Sequence, residues 1–249
     1  MNENEITTDG LSELRIYGVV RDDLNIDPLA YMALAAAGVA HLRMAANANP
    51  QLAEGYHPQT QPKLILRARN AADMERAIAE VTAAGLPHVS MSAEGLGEVG
   101  MFLAPLTREA LPRHVSKMRL FEEPRVPVSR ISSAFLVEGQ SGDLTVNVVS
   151  ELNAPLGKMM AQVGHAAWSG CADLEAVPTV AVSVSHQYFV QQGAVRGGGV
   201  ITDAGRTVFD KPTVTCCWGH YPTIRGDALD ALPGLTFREF ISVAKTPTP

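Results

Sequence analysis

The 249-residue sequence carries 46% hydrophobic, 18% charged and only 6% aromatic residues, a composition that builds a packed core and excludes a disordered or low-complexity chain. Twenty basic residues against 26 acidic ones give a formal net charge of −6, which opposes simple attraction to phosphate backbones or anionic lipid. Three cysteines, two of them adjacent at Cys216 and Cys217, leave no disulfide framework and predict a reducing compartment.

The opening MNENEITTDG is polar and acidic, unlike a signal peptide. The longest nearly uncharged stretch, 28–40, has 13 residues and falls short of the roughly 20 needed to cross a bilayer, so a cytoplasmic protein with no membrane partner is expected. A β-branched and aromatic run predicts a strand over 14–20. Asp27 and Pro28 then read as cap and first residue of a helix running to about Met44. A polar stretch, 47–62, leads to a strand over 63–68; Asn70 caps a second helix that ends at Gly85. Strands over 87–93 and 101–106 and a short helix from Thr107 to near Arg119 complete a β-α-β-α-β-β-α unit.

The stretch 122–134, with Pro124 and Pro127 among charges and serines, reads as a linker. The pattern then restarts. A strand over 144–149 leads through Glu151, Leu152, Asn153 and Pro155 into an Ala-rich helix, and VVRDDLNIDPLAYMALAAAG at 19–38 aligns with VVSELNAPLGKMMAQVGH at 148–165 with one residue of slack in the turn. An internal duplication accounts for this most economically, dividing the chain into units 1–124 and 125–249. Strands follow over 179–185, 200–202 and 212–218. HQYFVQQGAVRGGG between the first two predicts a loop, a final helix is expected near Asp227, and KTPTP reads as a frayed tail.

The second unit holds polar residues that packing does not require. Lys158, Gln162 and His165 fall along one helical stripe, and Asp203-Ala204-Gly205-Arg206-Thr207 follows a short strand. Taken alone, the first reads as a solvated face with a core-edge histidine and the second as an Asx-type turn. In an α/β sheet, however, the first helix and a later strand end meet at the carboxyl edge, so Lys158, His165, Asp203 and Thr207 can converge. An ammonium held by a carboxylate faces a developing oxyanion, a neutral imidazole orients water, and a hydroxyl positions it, which suits attack of water on an acyl group.

ELNAPLGKMMAQVGHAA at 151–167, followed by ITDAGRT at 201–207 and a TVT strand, resembles the archaeal and eukaryotic class of peptidyl-tRNA hydrolases. The resemblance implies two tandem α/β units, each a small mixed four-stranded sheet with flanking helices. It further implies catalytic roles for Lys158, His165, Asp203 and Thr207, and substrate contacts from Asn153, Gln162, Gly205 and Arg206, with no metal and no cofactor. The first unit is similar to an uncharacterised branch of the same superfamily. There Tyr31 stands at the place of Lys158 and Gly38 at that of His165, and SAEGLG at 92–97 replaces the DAGRT motif except at Glu94, so this copy reads as catalytically silent. Glu151 replaces the family's Asp, and its turn lysines fall at Asn153 and Leu156, which removes substrate contacts. A one-chain pseudo-dimer follows, with His41 or Glu94 lent to the rim of the site.

Other constellations are weaker. Adjacent Cys216 and Cys217 point to opposite faces of a strand, and no second pair completes a metal set with His220. Glycines 197–199 lack the Lys-Ser/Thr of a phosphate loop, Ser183, Ser185 and His186 lack a nucleophile elbow, and Asp22-Asp23 reads as turn chemistry. Residues 1–124 hold 11 basic and 16 acidic side chains, and 125–249 hold 9 and 10, so neither half has the basic excess of a tRNA-binding surface. The expected activity is therefore acyl ester or amide chemistry, hydrolysis or transfer, on a small aminoacyl or peptidyl substrate, with tRNA disfavoured as a partner. The alternatives are authentic peptidyl-tRNA hydrolysis, a cyclisation or elimination in the same pocket, and a non-catalytic binding protein.

Overall fold

The computed structural model describes residues 13–58, 60–122, 125–127, 134–192, 198–205, 208–221 and 228–241. In the first half, strands β1 (Arg15–Arg21), β2 (Lys63–Ala68), β3 (His88–Ala93) and β4 (Gly97–Leu106) alternate with helices α1 (Pro28–Ala48) and α2 (Ala71–Ala83). The caps are those expected: the Asp27 carboxylate accepts from Leu29 N at 2.8 Å, and the Asn70 side chain from Asp73 N at 2.9 Å. Gly85, with φ +68°, turns the chain after α2. The helix expected from Thr107 is instead two 3-10 turns, Arg108–Ala110 and Val115–Lys117, because Pro112 between them cannot continue a helix.

The second half contains β5 (Arg125–Pro127), β6 (Ala134–Val137), β7 (Ser141–Val149), β8 (Asn153–Pro155), helix α3 (Leu156–Gly170), β9 (Pro178–Ser185), helix α4 (Gln187–Gln191), β10 (Gly199–Asp203), β11 (Thr213–Gly219), β12 (Ala228–Asp230) and β13 (Thr236–Phe240). Three expectations are corrected. Of the stretch 122–134, expected as a linker, residues 125–127 form β5, which pairs with β8, and Ala134 opens β6, which pairs with β9; residues 123–124 and 128–133 lie outside the described residues. The expected loop after β9 begins with α4, whose first turn is held by the His186 ring and by the Glu151 carboxylate, which accepts from Gln187 N at 3.2 Å. The final helix expected near Asp227 is not seen among the described residues 228–241, which give β12 and β13, both recruited as sheet edges. The KTPTP tail lies outside the described residues.

Two mixed sheets result, of five strands (β13-β3-β4-β1-β2) and six (β10-β11-β7-β9-β6-β12), rather than two of four. Within them β3-β4-β1-β2 and β10-β11-β7-β9 have the same order and the same directions: one parallel pair (β1 with β2, β7 with β9) and two antiparallel pairs. The extra edges explain the added strands. β6 and β12 extend the second sheet, while β13, from the end of the chain, pairs with β3 and so joins the first sheet across the 124/125 boundary.

Helices α1 and α3 pack against each other between the sheets. α1 touches β3 and β4 on one side and β6 and β9 on the other, and α3 touches β2 as well as β7, β10 and β11. That sandwiched position accounts for the composition of α1, which is apolar on all sides and buried along most of its length. By length and hydropathy this 21-residue helix would pass for a membrane span, but 83% of its apolar window is buried between the two sheets. Small residues allow the close layering. A side chain at Gly38 of α1 would lie 2.4 Å from the Phe102 ring, and one at Gly164 of α3 would meet Val39 at 3.2 Å and the Lys63 stem at 3.3 Å. The amphipathic α2 covers the opposite face of the first sheet, over Val19, Met101 and Leu103.

Candidate active site

α3 places Lys158, Gln162 and His165 on the face it turns towards β10 and β2, as the i, i+4, i+7 spacing requires. Asp203 ends β10 opposite them and is 7% exposed. Its carboxylate is engaged three ways: it pairs with the Lys158 ammonium, accepts from Gln162 Nε2 at 2.9 Å, and accepts from Gly205 N at 2.9 Å. Gly205 adopts φ +74°, and a side chain there would collide with the Lys211 backbone, so glycine is needed for this turn. Gln162 is fixed in turn from β11, where the buried Thr215 hydroxyl lies 3.1 Å from its Oε1. A buried carboxylate with three donors is a rigid anchor, and it holds the Lys158 charge at a set place.

These residues line a cleft of about 500 Å³, and the opposite wall comes from the other half of the chain: Pro58, Thr60, Gln61, Pro62 and Lys63. Lys63 is 4% exposed and lies 3.0 Å from the Tyr56 hydroxyl and 3.0 Å from His165 Nδ1. Its ammonium also sits over the rings of Tyr56 and Trp168, at 5.4 and 5.8 Å from their centroids. Burial pulls Lys63 down to about 7. Burial, and then the positive charge of Lys63, pull His165 down to about 3, so its imidazole is neutral at ordinary pH. Burial raises the Tyr56 phenol above its ordinary value.

Of the residues singled out from sequence, Lys158, Gln162, His165 and Asp203 meet in this cleft. Gly205 shapes the turn behind Asp203, while Arg206 and Thr207 lie outside the described residues. Asn153 is exposed on β8, paired with Pro127, and does not line the cleft. Glu151 braces α4 through His186, 3.0 Å away, and Ser183 and Ser185 are bonded to Asn147. His41 and Glu94, expected at the rim, are elsewhere: His41 stacks on Phe237 of β13 with ring centroids 3.8 Å apart, and Glu94 packs near Gly234. The residue missed was Lys63. Its signal was present, because strand alternation in KLILRA puts it on the same face as the buried Ile65.

Residues 14–120 match the family model for peptidyl-tRNA hydrolase PTH2. The likeness is of this segment, less than half of the chain. No curated protein matches the chain. The PTH2 match spans β1 to β4, with α1 and α2, and ends before β5. It therefore includes Lys63 and Tyr56 of the cleft but neither Lys158 nor Asp203. In the matched half Tyr31 is buried against Phe121, with ring centroids 5.5 Å apart. The cleft polar groups thus come from α3 and β10, outside the matched segment, together with Lys63, which opens β2 within it.

Proposed function

We propose that this peptidyl-tRNA hydrolase-like protein hydrolyses an acyl ester or amide in the cleft between its halves, acting on a small aminoacyl or peptidyl compound. The observation that carries this reading is the Lys158–Asp203 pair, braced by Gln162, beside a neutral His165. The substrate carbonyl oxygen faces the Lys158 ammonium, which stabilises the oxyanion formed when water attacks the carbonyl carbon. His165 orients that water. The acyl–oxygen or acyl–nitrogen bond then breaks, and the proton taken from water passes to the leaving group. A cleft of about 500 Å³ admits a small acyl compound whole. The matching strand order of the two four-stranded cores, with α1 against α3 between them, supports a tandem pseudo-dimer in which the second copy carries the reacting groups.

A second reading, peptidyl-tRNA itself as substrate, is favoured by a local feature that overall charge conceals. Arg67, Arg69, His114, Lys117 and Arg119 line one hollow in the PTH2 segment, with Asp73 as the acid in its lining. Such a cluster suits phosphate, although the chain as a whole is acidic. One experiment separates the readings: hydrolysis of N-acetylaminoacyl esters and of peptidyl-tRNA by wild type and by Arg67→Ala/Arg119→Ala, at low and high salt. The small-substrate reading predicts ester turnover that neither salt nor the double substitution changes. Turnover of peptidyl-tRNA alone, weakened by both, would replace it with the second.

A further inference from the structure

His165 Nδ1 has two neighbours at equal distance. The Lys63 amine lies 3.0 Å away and the Pro58 carbonyl oxygen 3.0 Å away. One nitrogen cannot serve both in the same way: a bare Nδ1 accepts from Lys63, and a protonated Nδ1 donates to Pro58. These are the two neutral tautomers of the ring, the first with its proton on Nε2 and the second with Nε2 bare. With Nδ1 engaged in either case, Nε2 is the nitrogen that His165 has left for a water in the cleft it lines.

We propose that Lys63, contributed by the PTH2-matched half, is a positioning residue for the hydrolytic site and sets which tautomer His165 presents to the attacking water. This rests on the hydrolase reading above. The protonated amine makes the stronger, charge-assisted bond to a bare Nδ1, which leaves Nε2–H as a donor in the cleft. When Lys63 gives up its proton that bond weakens, Nδ1–H turns to the Pro58 carbonyl, and Nε2 becomes an acceptor for a proton of the attacking water. The Lys63 stem is locked for this role, since it passes over Gly164 where even a Cβ would come within 3.3 Å of it.

The titratable groups in contact with Lys63 are Tyr56 and His165; Lys158, paired with Asp203, lines the same cleft, and Arg43 of α1 lies over the Trp168 ring at 5.1 Å. His165 is neutral and Tyr56 protonated around pH 7, whereas Lys63 changes charge there, at about 7. Activity should therefore rise with pH through the Lys63 titration rather than through an ordinary imidazole one.

The test is nitrogen-15 NMR of the imidazoles in the full chain between pH 5.5 and 9, run beside a pH–rate profile on an N-acetylaminoacyl ester. In wild type the His165 Nδ1 and Nε2 signals exchange character with a midpoint near 7, and kcat/KM falls about tenfold per pH unit below it. Lys63→Met holds the Nδ1–H form throughout and flattens the profile. Lys63→Arg, permanently charged, holds the Nε2–H form and loses about tenfold or more in kcat at pH 8 with KM unchanged. A His165 spectrum identical in wild type and both variants overturns the proposal, whatever the ester assay gives. A tautomer switch without ester hydrolysis upholds the Lys63–His165 coupling and removes the hydrolase reading alone.

Discussion

Replacing Lys63 by methionine should make the protein more stable, and by an amount that depends on pH. Burial moves the amine from 10.5 in the unfolded chain to about 7 in the fold. At about 1.4 kcal/mol per unit, that shift corresponds to roughly 5 kcal/mol of disfavoured charge. Since the folded value lies below the unfolded one, the unfolded chain holds the proton more tightly. The cost is full below about pH 7, shrinks as pH rises from there, and vanishes above 10.5. Methionine removes the whole cost and forfeits the bonds to Tyr56 and His165, about 1 kcal/mol each, so the variant gains roughly 2 to 3 kcal/mol at pH 7. Urea unfolding of both proteins at pH 6, 7, 8 and 9 measures the difference, and groups common to both cancel. The gap should narrow by about 2 kcal/mol between pH 7 and 9. A gap that stays constant over that range would refute the buried, titrating amine, and a destabilised variant would show that Lys63 is held by more than these two partners.

Three further perturbations follow from the packing and the site. Asp203→Asn removes the charge that anchors Lys158 and one of the acceptor oxygens, and should lower kcat/KM for ester hydrolysis by about a hundredfold together with a lower urea midpoint. Gly157→Ala should destabilise the chain by about 2 to 3 kcal/mol in the same unfolding assay, because its Cβ would lie 2.1 Å from the Phe121 carbonyl oxygen, a main-chain atom that already accepts from Gly157 N. Truncation after Gly234 removes β13, unpairs the edge of β3 and strips the ring contacts of His41 and His88 with Phe237 and Phe240. Thermal unfolding should shift down by several degrees, and light scattering should show self-association through the bared edge.

The local signals in the sequence were mostly sufficient. Asp27-Pro28 and Asn70 opened their helices as expected, since a cap acts within its own turn, and the i, i+4, i+7 stripe of Lys158, Gln162 and His165 located one side of the cleft. Failures came where a distant partner decides. Nothing near residues 236–240 indicates that they will pair with β3, more than 140 residues earlier in the chain, and β6 becomes a strand because β9 offers it an edge. The missed half of the site has the same origin. Lys63 of β2 gains its role from His165 on α3, and a lysine in an apolar strand carries no mark of which imidazole it will meet. Net charge is equally blind to placement: counting each half does not show that Arg67, Arg69, Lys117 and Arg119 line one hollow.

The central claim is that the Lys158–Asp203 pair makes the cleft hydrolytic, and the rate of N-acetylaminoacyl ester hydrolysis by wild type and by Lys158→Ala, under saturating substrate at pH 8, tests it most directly. The expected result is measurable turnover by the wild type and a loss of about a hundredfold in kcat for the variant, with the fold intact by circular dichroism. Equal rates in the two proteins, or a wild-type rate no greater than that of buffer, would contradict it.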